Sequence, residues 1–101
     1  MSEAARLAEL GATPGTMILA EMQTDGRGRL GRQWHSDSST GISFTLILRP
    51  ELLPAAAPVL TLLAGVSLAT VVESIVPGIV DLRWPNDLLL NGKKCAGILV
   101  E

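Results

Sequence analysis

The sequence is poor in cysteine and in aromatic residues. Its 101 residues include one cysteine, Cys95, no tyrosine, one phenylalanine and two tryptophans. A single cysteine cannot close an internal disulfide, which excludes a small extracellular domain held together by such bonds. The N-terminus, Met-Ser-Glu-Ala-Ala-Arg, also lacks the basic and then apolar pattern of a secretory signal. We therefore expect the chain to function in a reducing cytoplasm.

Charged residues are also few, and neither sign dominates. They make up 18% of the chain, and the formal net charge is −2. This balance excludes a protein that coats nucleic acid through its overall charge. Hydrophobic residues make up 48%, and a chain of this length can bury one core but not two. The sequence therefore predicts one domain, residues 1–101.

The longest stretch without charge is residues 52–72, whose 21 residues could in principle cross a membrane. The stretch begins with two prolines and contains Thr61, Ser67 and Thr70, and no basic cluster marks either end. These features favour a buried core helix over a membrane span. We expect no membrane association.

Positive charge is concentrated in residues 26–34, Gly-Arg-Gly-Arg-Leu-Gly-Arg-Gln-Trp, which contain three of the eight basic residues and no acid. Glycine lets a backbone approach a ligand closely, and each guanidinium offers a planar set of donors that suits phosphate or carboxylate oxygens. The segment therefore predicts an anion site, with phosphate as the first hypothesis. An RNA-binding segment and a merely solvated surface loop are the alternatives.

Hydrophobic periodicity and turn residues predict an α+β fold with a mixed, largely antiparallel sheet and helices packed on it. In the strand at residues 42–48 we expect Ile42, Phe44, Leu46 and Leu48 to form the buried face. The polar residues up to Thr40 predict a loop that is mobile without ligand. The predicted elements, in chain order, are a helix over 3–10, a strand over 16–21, a strand over 42–48, a helix over 58–76, a strand over 79–84 and a hairpin that turns at Asn91-Gly92.

Three motifs occur together, at residues 23–34, 83–87 (Arg-Trp-Pro-Asn-Asp) and 94–101 (Lys-Cys-Ala-Gly-Ile-Leu-Val-Glu). In this order and spacing they resemble the catalytic domain of biotin protein ligases, over almost the whole chain. The resemblance implies the fold shared with class II aminoacyl-tRNA synthetases. It also implies a two-step reaction, in which biotin and MgATP give biotinyl-5′-AMP and biotin then passes to a lysine of a biotin carboxyl carrier protein. The implied cofactors and partners are ATP, Mg²⁺, biotin and that carrier protein.

The resemblance assigns a nucleotide side of the site to five residues. Arg29 is expected to stabilise the α-phosphate and to be catalytic. Arg32 and Asn86 are expected nucleotide contacts, and Trp34 is expected to pack on the adenine. Asp87 is the expected carboxylate on the magnesium side, although Pro-Asn-Asp is also ordinary turn chemistry.

A biotin side follows in the same way. Gln23, Gly26 and Arg27 are expected to line the biotin pocket with the backbone of Gly97. Lys94 is expected to reach both the biotin carboxylate and the phosphate, which makes it the second catalytic residue. Without the resemblance, Lys94 would be interpreted as a solvated lysine beside a turn.

Three residues carry no expected function. Trp84 is expected in the core, Cys95 as a small buried residue of a strand, and His35 in a loop.

The sequence also departs from the family. Arg83 stands where the family usually has lysine. The family's Ser-Thr-Asn segment before the first helix and its sheet after Glu101 are not present, so the resemblance implies an incomplete catalytic domain. No helix-turn-helix precedes the match, and DNA binding is not implied.

Two alternatives remain. The first is a lipoate ligase, which shares the fold and the acyl-adenylate chemistry. The second is a non-catalytic binding or assembly module, in which unpaired strand edges favour a homodimer.

Overall fold

The computed structural model describes all 101 residues, which divide into two compact units, Met1–Glu51 and Leu52–Glu101. The strands form two separate antiparallel sheets, one of two strands and one of three. The α+β class is confirmed. Within this chain every strand pair is antiparallel, and the strands form two sheets.

The first unit begins with helix α1, Ser2–Glu9, whose residue Ala4 is buried. The helix ends at Glu9 with Leu10 as its C-cap, and Gly11 then adopts a φ of 92°, a conformation that glycine allows at a helix C-terminus. Strands β1, Met17–Ala20, and β2, Ser43–Leu46, pair with Met17 opposite Leu46 and Leu19 opposite Phe44.

The buried face of β2 is opposite to the one that the apolar alternation predicted. Ile47 is 6% exposed, whereas Phe44 is 55% exposed. On the covered side of the strand the hydroxyl of Thr45 donates to the sulfur of Met1, the residue before α1, at 3.2 Å. The Arg49 guanidinium also donates to the carbonyl of Ala8 at 2.6 Å. The polar face of β2 is therefore the covered one within this chain.

The second unit contains helix α2, Pro58–Ile75, which follows a short 3-10 turn at Pro54–Ala56. Its sheet comprises β3, Val80–Arg83, β4, Asp87–Leu90, and β5, Lys93–Gly97, in the order β3-β4-β5. The connection between β4 and β5 is the predicted tight turn, with φ of 52° at Asn91 and 77° at Gly92.

The core of the second unit lies between α2 and this sheet. Leu88 is 1% exposed and pairs with Leu82 across the sheet. Gly65 of α2 is buried against the ends of the Leu82 and Ile98 side chains, each of which lies 3.7 Å from the position that a Cβ at residue 65 would take. A Cβ at residue 65 would therefore make ordinary van der Waals contact with both side chains.

Gly65 is the only buried residue of α2, so the expectation of a buried core helix holds for one side of the helix alone. By length and composition the helical segment Pro54–Ile75 could cross a membrane, and little of it is buried within this chain. The core helices of soluble proteins meet the same criteria.

Two expectations about single residues are wrong. Trp84 is 78% exposed, and not in the core. Cys95 lies in β5 as expected but is exposed, because it is the extra residue of an irregularity in the pairing of β4 with β5.

Candidate functional site

Residues 26–34 form a short hydrogen-bonded hairpin, which we call the arginine hairpin. The amide of Trp34 donates to the carbonyl of Gly26 at 2.8 Å, and the amide of Gly28 donates to the carbonyl of Arg32 at 2.7 Å. Between these bonds Arg27 and Gln33 form an antiparallel bridge. The hairpin is therefore held together by hydrogen bonds of its own backbone, and its mobility without ligand stays a prediction.

The tip of the hairpin is a 3-10 turn at Arg29–Gly31. Leu30 has a φ of 58° and Gly31 a φ of 74°, so two successive residues adopt the left-handed region. Glycine takes this conformation without strain, and leucine does so rarely. The chain reverses direction between Arg29 and Arg32. The amide of Arg32 donates to the carbonyl of Arg29 across this turn at 3.2 Å.

Three guanidinium groups belong to this hairpin, and all three residues are exposed: Arg27, Arg29 and Arg32. Arg29 and Arg32 make no ion pair with an acidic residue of the chain. Such groups can donate several hydrogen bonds to a phosphate or carboxylate without first breaking an internal contact. The hairpin thus has the chemistry of an anion site.

Gln23 lies at the base of the hairpin and is half-buried. Its backbone amide donates to the hydroxyl of Ser36 at 2.8 Å, and its side-chain amide donates to the hydroxyl of Ser43 at 3.3 Å. Sequence reasoning missed Ser36, because a serine in a polar run gives no signal of a partner 13 residues away. The structure brings together Gln23, Gly26, Arg27, Arg29, Arg32 and Trp34 around this hairpin.

In the second unit, an ion cluster forms on one face of the three-stranded sheet. Arg83 is directly opposite Asp87 across β3 and β4. Lys94 of β5 is opposite Leu89 of β4. Leu89 follows Asp87 by two residues, so the two side chains are on the same face of the strand. Long side chains at directly opposite and diagonal positions can reach each other. The strand register therefore places two cations beside one carboxylate.

Each oxygen of the Asp87 carboxylate has its own cation. The Nε and Nη2 atoms of Arg83 donate to Oδ2 at 3.0 and 2.6 Å, and the Lys94 Nζ lies 2.9 Å from Oδ1. Oδ1 is buried and accepts no well-aligned hydrogen bond, so its contact with Lys94 is best described as an ion pair. We name Arg83, Asp87 and Lys94 the ion triad.

The pKa of Asp87 reflects two opposing effects. Burial of the carboxyl, which is 9% exposed, acts to raise its pKa. The contacts and positive charges of Lys94 and Arg83 outweigh burial, and the pKa is lowered from its usual value. Asp87 is therefore a carboxylate at neutral pH, and it balances part of the charge of both cations.

The ion triad bears on the expected magnesium role of Asp87. Magnesium takes oxygen ligands, usually from one or two carboxylates together with water and phosphates. Here both oxygens of Asp87 face cations, and no group of three His, Cys, Asp or Glu residues is placed to hold a metal. In this arrangement Asp87 is paired with two cations, and its role on the magnesium side stays a prediction.

Asn86 and Gly97 flank the triad. The side-chain amide of Asn86 donates to the carbonyl of Ile98 at 3.0 Å, and the amide of Ile98 donates to the carbonyl of Asn86 at 2.9 Å. These bonds continue the pairing of β4 with β5 beyond Gly97, which is opposite Asp87. Asn86 thus has a structural contact as well as its expected nucleotide role, which stays a prediction.

Comparison with known proteins identifies the family of this chain. A sequence profile of the Biotin/lipoate A/B protein ligase family matches residues 4–101. The chain belongs to this family. The resemblance to biotin protein ligases is thereby confirmed, and each named relative below is a biotin ligase or a ligase/repressor, which does not favour the lipoate alternative.

Curated relatives resemble this chain over most of its length. The bifunctional ligase/repressor BirA of Bacillus subtilis is 46% identical over 95 residues, which cover 94% of this chain and 29% of that protein. BirA of Escherichia coli is 42% identical over 87 residues, covering 86% and 27%. A biotin–[acetyl-CoA-carboxylase] ligase of Paracoccus denitrificans is 39% identical over 102 residues, covering 99% and 42%.

A solved structure agrees with the fold. The biotin protein ligase of Leishmania major, crystallised with biotin, matches 98% of this chain and 46% of its own with a TM-score of 0.79 and 28% identity. The chain therefore spans less than half the length of each of these relatives.

Proposed function

We propose that the chain carries residues of the adenylate-forming site of an ATP-dependent biotin protein ligase. Such an enzyme activates biotin as biotinyl-5′-AMP and then transfers biotin to a lysine of a biotin carboxyl carrier protein. The observation that supports this proposal best is the arginine hairpin, whose exposed Arg29 and Arg32 have no acidic partner, in a chain of this family.

The first step of this reaction brings two anions together. An oxygen of the biotin carboxylate attacks the α-phosphorus of ATP, and pyrophosphate leaves with the electron pair of the broken P–O bond. Repulsion between the carboxylate and the phosphates raises the barrier, so the protein contributes chiefly by positioning cations where negative charge develops. No protein nucleophile is required.

The proposed roles follow from charge and donor geometry. Arg29 would stabilise the α-phosphate through its planar set of donors, with Arg27 and Arg32 beside it on the hairpin. Lys94 would bind the biotin carboxylate and the phosphate as a compact charge. Trp34 would offer an aromatic face to the adenine.

The remaining proposed contacts concern biotin and the nucleotide. Gln23, Gly26 and the Gly97 backbone would line the pocket of the biotin ring, and Asn86 would contact the nucleotide. ATP is the proposed nucleotide substrate, and Asp87 stays the predicted carboxylate on the magnesium side.

In the second step the carrier lysine attacks the acyl carbon of the adenylate. A new C–N bond forms, AMP leaves with the electrons of the C–O bond, and the amine loses a proton. The carrier protein as acceptor is part of the proposal, since it rests on what the relatives are named for and on no contact within this chain.

The test is release of pyrophosphate from MgATP by the purified, folded chain, first with biotin and then with lipoate. Release with biotin alone supports the proposal, and Lys94→Ala should abolish it. The matched control is Lys93→Ala, which changes the neighbouring exposed lysine and should leave the rate unchanged. Release that is equal with lipoate, or that persists in Lys94→Ala, would contradict the assignment.

A second candidate function is a non-catalytic assembly module. It is favoured by an exposed apolar face on the two-stranded sheet, since contiguous apolar surface often marks an association site. This face carries Met17, Leu19, Phe44 and Leu46, which are 46% to 67% exposed. A folded chain that self-associates in sedimentation experiments but releases no pyrophosphate would support this candidate, and a monomer at all concentrations would contradict it.

A further inference from the structure

Two serines hold Gln23, one through its backbone and one through its side chain. The backbone amide of Gln23 donates to the hydroxyl of Ser36 at 2.8 Å, and the side-chain nitrogen Nε2 donates to the hydroxyl of Ser43 at 3.3 Å. Both hydrogen bonds are partly buried, and they join residues 13 and 20 positions apart in the chain. The position of Gln23 is therefore set by side chains that are distant from it in the sequence.

Ser43 is a firm anchor for the Gln23 side chain. It is the first residue of β2 and lies opposite Ala20, the last residue of β1. Strand pairing fixes the backbone at this point, and a serine side chain is short, so its hydroxyl stays close to the strand. Gln23 lies beyond the end of β1, and a glutamine side chain has many rotamers when nothing holds it. The hydrogen bond to Ser43 thus restricts a side chain that the strand pairing itself does not hold.

This hydrogen bond also determines which end of the Gln23 amide is presented to a ligand. A primary amide has a nitrogen that donates and a carbonyl oxygen that accepts. With Nε2 directed at Ser43, the carbonyl oxygen Oε1 is directed away from it. Gln23 is half-buried and so keeps part of its surface accessible. A fixed acceptor favours a ligand that donates an N–H group and disfavours one that has no donor there.

We propose that Ser43 is a positioning residue, which orients the Gln23 amide so that its carbonyl oxygen accepts from an N–H of the bound ring. The inference rests on the proposed function, which assigns Gln23 to the biotin ring, and it adds the residue that sets the polarity of this contact. The cyclic urea of biotin carries N–H groups, whereas the dithiolane ring of lipoate has none. Ser43 acts only through Gln23 and does not have to contact the ligand.

The first experiment needs no ligand. It measures hydrogen exchange of side-chain amide protons by NMR spectroscopy of the chain, which has two glutamines, Gln23 and Gln33. Gln33 is exposed and serves as the reference within each sample. Gln23 should exchange more slowly than Gln33 in the wild-type chain. Ser43→Ala should raise the Gln23 rate by about two- to tenfold, as expected for loss of one hydrogen bond, and leave the Gln33 rate unchanged.

Further variants separate this role from a general effect on folding. Ser43→Thr keeps the hydroxyl and should keep the slow exchange of the Gln23 side chain. Ser36→Ala removes the other anchor and should speed exchange of the Gln23 backbone amide more than exchange of its side chain. If Ser43→Ala does not fold, seen by circular dichroism, Ser43→Cys replaces it, because cysteine is similar in size and its sulfur is a weak acceptor.

The second experiment measures release of pyrophosphate from MgATP in the presence of biotin. Ser43→Ala should raise the KM for biotin by about two- to tenfold and leave kcat and the KM for ATP nearly unchanged, since only a contact with the ring is weakened. Ser43→Thr should restore the KM for biotin. Ser67→Ala is the matched control, because Ser67 is an exposed serine of α2, and it should change none of these constants.

Substitutions of Gln23 test the direction of its amide. Gln23→Glu keeps an acceptor oxygen but loses the N–H donor, whereas Gln23→Met has no donor and only a weakly accepting sulfur. Because the carbonyl oxygen is the proposed contact with the ring, the KM for biotin should rise less in Gln23→Glu than in Gln23→Met. An equal rise in the two variants would overturn the proposed direction.

Equal exchange of the two glutamines in the wild-type chain would overturn the positioning role, as would a Gln23 side-chain rate unchanged by Ser43→Ala. An unchanged KM for biotin in an active Ser43→Ala chain would also overturn it. No release of pyrophosphate from the folded wild-type chain would instead contradict the proposed function, and the exchange rates would still show whether Ser43 holds Gln23. The two proposals can therefore fail separately.

Discussion

The carbonyl oxygen of Trp34 lies against Gly26, in the space that a side chain at residue 26 would occupy. The same two residues are joined by the hydrogen bond from the Trp34 amide to the Gly26 carbonyl. A glycine at residue 26 is therefore a requirement of the hairpin backbone, independent of any ligand.

Gly26→Ala should consequently open the arginine hairpin. The added Cβ would overlap a backbone oxygen, which cannot rotate away as a side chain can, so we expect a loss of about 1–3 kcal/mol in the free energy of unfolding, typical of overpacking. Urea unfolding measures this loss, and hydrogen exchange should show a less protected Trp34 amide.

Gly28→Ala is the matched control for that substitution. A Cβ at residue 28 would lie 3.5 Å from the Cβ of Arg32, an ordinary contact, and Gly28 has no positive φ. Alanine there should be tolerated. If both variants lose the same stability, the loss would reflect the flexibility of glycine in general and not the close approach to Trp34.

A second prediction concerns protection of the hairpin by ligand. Residues 25–40 should be cleaved by trypsin after the exposed Arg27, Arg29 or Arg32 in the unliganded chain, and biotinyl-5′-AMP should slow that cleavage. Bonds from guanidinium groups to a phosphate are worth about 1.5–3 kcal/mol each, enough to hold a short segment closed. Cleavage after Arg6 in helix α1 provides the reference within each digest. Identical cleavage of residues 25–40 at saturating ligand would count against the anion site.

The local features of the fold were predictable from the sequence. The Asn91-Gly92 turn is an example, because its two positive φ angles are a property of those two residues and their immediate neighbours. Glycine after helix α1 is another. The order of helices and strands follows from signals of the same kind, each contained in a few residues.

The features that were not predictable depend on distant parts of the chain. The covered face of β2 depends on residues far away in the sequence, since the contact of Thr45 with Met1 spans 44 residues. Alternation along a strand identifies two faces but not which one is covered. A similar limit applied to Trp84, which the apolar character of tryptophan placed wrongly in the core.

In the candidate site, too, the residues were predictable from the sequence and their contacts were not. Arg83, Asp87 and Lys94 are visible in the sequence as charged residues of two motifs, but their contact follows from the register of three strands. The irregularity at Cys95, which shifts the pairing between Leu88 and Leu89, has no signature in the sequence. Sequence reasoning thus named Asp87 and Lys94 without predicting their ion pair.

A third prediction uses the contact of α2 with the three-stranded sheet at Gly65. A Cβ at this residue would lie 3.7 Å from the side chains of Leu82 and Ile98, which is ordinary van der Waals distance. Since alanine is favoured over glycine within a helix by about 1 kcal/mol, Gly65→Ala should match or raise the free energy of unfolding. Gly65→Leu should lower it by about 1–3 kcal/mol through overpacking. Thermal and urea unfolding measure both, and destabilisation by alanine would show that the helix and sheet pack more tightly than these distances indicate.

The last prediction concerns acid and the ion triad. Because the pKa of Asp87 is lower in the folded chain than in the unfolded one, the unfolded chain binds more protons in acid, and stability falls as pH falls. The contribution of Asp87 should be complete above about pH 4, near the ordinary value for aspartate, and should be lost as pH falls through its folded value.

Asp87→Asn should remove this part of the pH dependence. The variant should be less stable than the wild-type chain at neutral pH, because two cations lose their carboxylate, and the difference in free energy of unfolding should shrink as the pH is lowered below about 4. Arg83→Met should change the dependence in the same direction and to a smaller extent, since Lys94 still contacts Asp87. Urea unfolding at a series of pH values measures these differences. A constant difference between wild type and Asp87→Asn down to the acid limit would mean that the cations do not favour the ionised form of Asp87, and the electrostatic description of the triad would have to be abandoned.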